Sequence, residues 1–196
     1  VLYASFATLM WRIHYSPSWD LGIFTQMLSQ YAQGAAPIVD IKGPGFNLWG
    51  DHFHPILILL TPLFWIFPYG LTLMLAQAAL FAASVWPVAS LAFERLTVRG
   101  AWLLTASYVL SWGLLNAVHS QFHEIAFGVP LLAFGLVWWI RGKRLPAIVA
   151  IGLLVFVKED LGLTVAVFGL VVWLRDRAEL KLALALVAWG VGWMVY

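Results

Sequence analysis

The chain has 196 residues, of which 63% are hydrophobic and only 10% are charged, and its mean hydropathy is +0.89. Soluble domains carry about 25% charged residues, so this composition excludes an ordinary soluble domain and predicts a protein whose solvent includes lipid. A net charge of +2 argues against nucleic acid as a partner, and the absence of cysteine excludes disulfides and thiolate metal sites.

The order of apolar and polar stretches predicts one membrane domain over residues 1–196, and we interpret it as a fragment truncated at both ends, because each end lies in an apolar run. Residues 1–13 are expected to be the end of a first span. Residues 14–54 are expected to form an external loop, and residues 55–196 a helix bundle.

The external loop is predicted to contain one amphipathic helix. Ser16, Pro17 and Ser18 are typical of a helix start, and apolar residues then recur at three- and four-residue spacing as far as Gly34. Such a helix lies along the membrane interface. Asp20 falls in its first turn, where the helix dipole favours a carboxylate.

The remaining segments differ in length, and the shorter ones indicate which helices do not cross the membrane fully. Segments 71–93, 101–118 and 125–140 are predicted spans, and another span begins at residue 182. Three segments reach only about 20 Å, against a hydrocarbon core of about 30 Å: 55–67, 145–157 and 161–174. The fold class expected is therefore all-α, a polytopic transmembrane helix bundle with short or re-entrant helices.

Basic residues give the orientation, because they prefer cytoplasmic loops. They concentrate in loops 94–99, 141–144 and 175–181. This orientation places the connections near residues 119–124 and 158–160 outside and predicts a multi-pass protein of the cell membrane with an extracytoplasmic active face. Segment 55–67 is then re-entrant; the alternative is that it crosses and the first loop is cytoplasmic.

Polar clusters stand at the edges of the apolar segments, and we expect them to meet in a single external site. Their members are Asp51, His52 and His54; His119, His123 and Glu124; Lys158, Glu159 and Asp160. Asp20 joins them from the amphipathic helix. Ionisable groups at the depth of a bilayer are costly and usually mark a function.

Each cluster permits a chemical and a structural interpretation. His119, His123 and Glu124 suit a divalent metal (Mg²⁺, Mn²⁺ or Zn²⁺) or are interfacial residues bonded to backbone carbonyls. Lys158 can hold a phosphate, or it can form a self-neutralising helix cap with Glu159 and Asp160. Asp20 is either a general base or simply a helix-start residue.

Four segments resemble an uncharacterised bacterial family of predicted membrane proteins, and they agree with it in order. They are Asp20-x-Gly22-x-Phe24, Asn47-x-x-Gly50-Asp51-His52-Phe53-His54-Pro55, Phe122-His123-Glu124-x-Ala126-Phe127 and Val157-Lys158-Glu159-Asp160-Leu161-Gly162. That family is in turn distantly similar to GT-C glycosyltransferases of the protein mannosyltransferase and aminoarabinose transferase types.

The resemblance implies a GT-C-like fold and transfer of a sugar from a polyprenyl-phosphate donor to an extracytoplasmic acceptor. By the same resemblance Asp20 is the catalytic base, and His54-Pro55 stands where the family's proline motif re-enters the membrane. Substrate contacts are expected from Asp51, His52, His54, Lys158, Glu159 and Asp160. The chain departs from the pattern at Leu21, where a second acid is usual.

Two other classes of function stay open from the residues alone. A transporter or flippase also uses buried Lys, Glu and Asp groups and re-entrant helices. A non-catalytic membrane scaffold is the third class, but a scaffold does not require acids and histidines on one face.

Overall fold

The computed structural model describes residues 1–15 and 19–194, and its regular elements there are helical apart from an isolated antiparallel bridge between Ile38 and Asn47. The α-helices are α1 (Leu2–Arg12), α2 (Asp20–Ala32), α3 (Thr61–Phe64), α4 (Gly70–Arg95), α5 (Val98–Val109), α6 (Trp112–His119), α7 (Gly128–Ile140), α8 (Arg144–Gly152), α9 (Gly162–Arg175) and α10 (Leu180–Met194). Shorter 3-10 helices lie at Asp40–Lys42, Leu48–Gly50, Pro55–Leu60, Glu124–Phe127, Leu153–Phe156, Glu159–Leu161 and Arg177–Glu179.

The all-helical class is therefore confirmed for the described part of the chain. The predicted helix start at Ser16, Pro17 and Ser18 lies outside the described residues, as do the last two residues of the final predicted span.

Two helical stretches are long and apolar enough to cross a membrane, Gly70–Arg95 and Val98–His119. They coincide with the predicted segments 71–93 and 101–118. The second stretch consists of α5 and α6, because the helix ends at Val109 and the backbone is extended at Ser111. Hydrophobicity alone does not report this break. Shorter apolar helices lie at Pro55–Phe64 and Arg144–Phe156, close to the predicted short segments 55–67 and 145–157, and at Glu124–Ile140, close to the predicted span 125–140.

Helix α4 lies at the centre of the fold and packs against α1, α5 and α7. It buries Leu73 and Phe81 completely or nearly so, and the Tyr3 ring of α1 meets Phe81 edge-on. The Tyr3 hydroxyl donates a 2.8 Å hydrogen bond to the carbonyl oxygen of Val109, the last residue of α5. The polar end of this buried ring therefore has a hydrogen-bond partner.

Helix α2 has the predicted amphipathic pattern and buries its apolar face against this core. Leu21, Phe24 and Leu28 are buried, and Asp20 lies in the first turn. The helix ends before Gly34, whose φ of +70° is the left-handed conformation that glycine adopts without strain.

Segment 55–67 begins and ends beside α2. The His54 ring contacts Phe24 at 5.6 Å between centroids, and the Trp65 indole donates 3.0 Å to the carbonyl oxygen of Ala32. At the start of α4, a side chain added at Gly70 would touch Leu21. The segment therefore starts and ends beside the same helix, α2, which is only about 20 Å long.

A second packing unit joins α9 to α10, with α8 on its flank. The two helices cross closely at Gly162 and Gly190, where an added Cβ on either glycine would overlap the carbonyl oxygen of the other. Gly169 meets Ala183 in the same way about two turns further on. Small residues at a helix interface let the backbones approach, which is how helices associate when lipid removes the hydrophobic drive.

Candidate functional site

Glu159 connects the third polar cluster to the first. One carboxylate oxygen lies 2.6 Å from Nδ1 of His52, and the other accepts a 3.0 Å hydrogen bond from the backbone N–H of Phe53. Burial alone raises the pKa of Glu159, but the hydrogen bonds from His52 and from the backbone amides of Glu159 itself and Phe53 outweigh it, so the pKa lies below its ordinary value. Glu159 is therefore an ionised residue that fixes the loop before Pro55.

Lys158 connects the same cluster to the second one. Its Nζ lies 3.3 Å from Oε1 of Glu124, and the Glu124 side chain is only 8% exposed. A buried charge is costly unless it is paired, so the two residues depend on each other. The Lys158 side chain retains 23% exposure, so it is not sealed from solvent.

Asp20 meets the second cluster through His123, which directly precedes Glu124. The two side chains approach to 3.7 Å between Oδ2 and Nε2, and each is 36% exposed. Consecutive residues of one segment therefore contact Asp20 and Lys158. One short segment thus connects a carboxylate and imidazole pair to a lysine and glutamate pair.

A glutamine that sequence reasoning missed holds this segment in place. The Gln77 side chain, 2% exposed on α4, accepts a 3.0 Å hydrogen bond from the His123 backbone and donates to the carbonyl oxygens of Ala117 and Gln121. Gln121 has a φ of +67°, and its amide donates to the carbonyl oxygen of Tyr15. The signal available in the sequence was a lone amide inside an apolar span, where an unbonded polar group is expensive.

His54 lies beneath these pairs and is almost completely buried, with 2% exposure. Its ring packs edge-on against Phe24, and its Nδ1 has no hydrogen-bond partner within the described residues. Burial lowers the pKa of His54, although the carboxylates of Glu124 and Glu159 act in the opposite direction. We therefore describe His54 as a neutral imidazole at neutral pH.

The other two predicted substrate contacts lie toward solvent. Asp51 is exposed and forms an ion pair with Lys42 of the loop that follows α2, and the hydrogen bond from that lysine lowers the pKa of Asp51. Asp160 is exposed beside Glu159. Neither residue makes an ion pair with the groups around Lys158 in the described chain.

The three predicted metal ligands face different partners. The His119 ring packs against Tyr15 at 4.7 Å and Phe6 at 6.2 Å, while His123 and Glu124 contact Asp20 and Lys158. Among residues 1–15 and 19–194, no three His, Asp or Glu side chains are grouped so that they could hold a metal ion. The arrangement does not fit a divalent cation at these three residues, so we assign no chemical step to one.

We call the part of the bundle that carries these groups the site end; its residues are Asp20, His52, His54, His123, Glu124, Lys158 and Glu159. The opposite part, the basic end, contains ion pairs of its own. Arg141 binds Glu94 and donates 2.9 Å to Ser90, and Arg144 binds Glu179. Along α4 the distance from Gln77 to Glu94 is about 26 Å at 1.5 Å per residue.

The same spacing separates Glu124 from Arg141 along the second helical path, which passes through α7. The two helical paths thus place polar or charged groups at both ends of an apolar layer close to the thickness of a bilayer core, about 30 Å. A family model described as "Predicted membrane protein (DUF2079)" matches residues 11–196. The chain belongs to this family.

The DUF2079 assignment confirms the resemblance to an uncharacterised family of predicted membrane proteins and makes a lipid bilayer the natural surroundings of the chain. Comparison with curated proteins and with solved structures finds no match. The activity of this DUF2079 protein must therefore be argued from its own residues.

Proposed function

We propose that the site end transfers a sugar from a polyprenyl-phosphate donor to the hydroxyl of an extracytoplasmic acceptor. One observation carries the proposal: His123 and Glu124 are consecutive, and they contact Asp20 and Lys158 respectively. A candidate base and a candidate phosphate-binding cation are thereby each tied to one of two consecutive residues of the same segment. Glycosyl transfer from a lipid phosphate requires both groups.

In the proposed reaction Asp20 takes the proton of the acceptor hydroxyl as its oxygen attacks the anomeric carbon. The bond from that carbon to the donor phosphate breaks, and the phosphate leaves with the electron pair. Lys158 stabilises the negative charge that develops on it. Because Lys158 is paired with Glu124 in the described state, the donor phosphate must compete with this carboxylate.

The remaining site residues are assigned to support. Glu159 fixes His52 and Phe53 at the point where the loop enters the apolar layer. His54 supplies a neutral imidazole under the site, and Asp51 and Asp160 face the solvent from which an acceptor arrives. We place this end outside the membrane because the basic loops lie at the other end.

The test uses purified protein in liposomes with polyprenyl-phosphate donors labelled in the sugar and a panel of hydroxylated acceptors. Transfer is expected for the wild type. Asp20→Asn should lower it by about 10²-fold or more, the usual contribution of a general base. Lys158→Gln should lower it by about 10²–10³-fold. Asp40→Asn is the matched control, because Asp40 is an exposed loop carboxylate that caps only the Gly45 amide.

Unchanged transfer by Asp20→Asn would remove Asp20 from the reaction. The transporter alternative is favoured by the partly buried Lys158–Glu124 pair, which resembles the intramembrane pairs of ion and proton pathways. Substrate uptake into the same liposomes without any transfer of label would support that alternative and overturn the glycosyltransferase proposal.

A further inference from the structure

An apolar groove of about 390 Å³ opens on the surface of the bundle at the basic end, far from the site. It lies between α4, α5 and α7, and its lining includes Val88, Leu104, Ala133 and Ile140. All but one of its lining residues are apolar. The exception is Arg95, in the last turn of α4.

Arg95 is available to a ligand from outside the chain. It is exposed and makes no ion pair or hydrogen bond through its side chain among residues 1–15 and 19–194. The adjacent acid, Glu94, is already bound by Arg141. The lining of the groove therefore carries one positive charge, on Arg95, that no group in the described part of the chain pairs with.

We propose that this groove is a binding site for an anionic phospholipid of the inner leaflet. One acyl chain lies in the apolar groove, and the headgroup phosphate contacts the guanidinium of Arg95. The proposal commits to a lipid because the groove offers an apolar bed directly under the cation, whereas free phosphate would use only the cation. Guanidinium groups bind phosphate oxygens in a bidentate manner, and basic pockets between membrane helices at the cytoplasmic side suit anionic headgroups.

A zwitterionic lipid should bind the groove less well. Its headgroup carries a cation of its own next to the phosphate, and this cation is repelled by the guanidinium of Arg95. The expected preference is therefore set by charge, while the acyl-chain contribution is common to both lipids.

Native mass spectrometry of the full chain, released from detergent after incubation with lipid, tests this proposal. The probes are phosphatidylglycerol and phosphatidylcholine with identical acyl chains. Wild type should retain the first phosphatidylglycerol at least about fivefold better than phosphatidylcholine, and Arg95→Gln should abolish that preference without reducing phosphatidylcholine binding. Arg175→Gln is the matched control, because it removes an exposed arginine from the last turn of α9, which does not line the groove.

A second variant tests the apolar half of the site. Ala133→Phe should fill the groove and reduce retention of both lipids, with folding checked by the thermal transition of tryptophan fluorescence. If that variant unfolds, two measurements still test the proposal. They are the lipid preference of Arg95→Gln and the retention of phosphatidylglycerol by wild type in the presence of inorganic phosphate. Equal retention of the two lipids by wild type, an unchanged preference in Arg95→Gln, or displacement of phosphatidylglycerol by millimolar inorganic phosphate would each overturn the proposal.

Discussion

Glu159 illustrates how one side chain can organise a site whose parts lie far apart in the chain. It accepts from the His52 ring and from the Phe53 backbone, 107 and 106 residues away in sequence. Its neighbour Asp160 is exposed, although the two residues share a charge type and a 3-10 turn. Glu159 and Asp160 therefore differ in their hydrogen-bond partners, and substituting each residue measures what those partners contribute to stability.

Glu159→Gln should destabilise the fold by about 1–3 kcal/mol, the usual cost of losing a charge-assisted hydrogen bond to a partly buried group. The amide can still accept from Phe53 but no longer carries the charge that pairs with His52. Asp160→Asn is the control and should stay within about 0.5 kcal/mol of wild type. Unfolding in mixed micelles with increasing denaturing detergent measures both, and equal losses would contradict the assignment.

His54 should make stability depend on pH below neutrality. Its pKa is lowered in the folded state by burial, so below the ordinary value of about 6.5 the unfolded chain binds a proton that the folded chain does not. Stability should therefore fall as the pH drops from about 7 toward 5. His54→Asn should flatten this part of the curve of melting temperature against pH.

Asp51 provides a contrast in the same experiment, because its lowered pKa comes from Lys42 in the exposed loop. Its contribution is present above the ordinary pKa of an aspartate, about 3.9, and is lost at more acid pH. Asp51→Asn should therefore lower the curve by a constant amount above about pH 4 and change its slope only below that pH. A wild-type slope between pH 7 and 5 that persists in His54→Asn would show that other groups cause it.

At the scale of elements, the crossing of α9 and α10 depends on two glycines. Gly162 and Gly190 let the two backbones touch, and the same pair of helices connects the Lys158–Glu159 turn to the end of the described chain. Gly192, two residues further along α10, has nothing within 4 Å of an added Cβ. Comparing substitutions at the two α10 glycines therefore distinguishes the effect of close packing from the effect of glycine's backbone flexibility.

Gly190→Ala should destabilise the protein by several kcal/mol, since overpacking against a backbone carbonyl typically costs about 1–3 kcal/mol and this contact has no side chain that can move aside. Gly192→Ala should leave stability unchanged or raise it by up to about 1 kcal/mol, because alanine is the better helix former. Thermal unfolding, monitored by tryptophan fluorescence, compares the stabilities of the two variants. Similar values for the two variants would argue against close contact at Gly190.

A secondary-structure element could be predicted where its own residues determine its structure. The spacing of apolar residues indicated α2 and the length of an uncharged apolar run indicated α4, because both are local properties of the sequence. The polar clusters were recognisable by their cost in an apolar chain. The break between α5 and α6, the hydrogen bonds of Gln77 and the approach of Gly162 to Gly190 were not, since they depend on partners dozens of residues away.

The metal hypothesis shows the same limit for the site. His119 and His123 share a face only if one helix contains both, but α6 ends at His119 and Gln121 turns the chain with a positive φ. The predicted pair is therefore separated, and His123 meets Asp20 instead. Residues close in sequence were divided, while residues far apart were brought together.

The whole molecule has two charged ends separated by an apolar layer, and its topology depends on whether segment 55–67 crosses that layer. The return of this segment to α2 predicts that it does not, so residues 47 and 69 should face the same side. The chain contains no cysteine, which makes single-cysteine labelling in intact cells direct. Asn47→Cys and Tyr69→Cys replace exposed residues and should both react with a membrane-impermeant maleimide from outside.

Lys143→Cys provides the opposite control, because Lys143 is exposed at the basic end between Arg141 and Arg144. It should react only after the cells are permeabilised. Labelling of 47 and 69 from opposite sides would mean that the short segment crosses and that the first loop is cytoplasmic. Labelling of 143 together with 47 in intact cells would instead mean that the two ends do not lie on opposite sides of the bilayer, and the extracytoplasmic placement of Asp20 and Lys158 would fail with it.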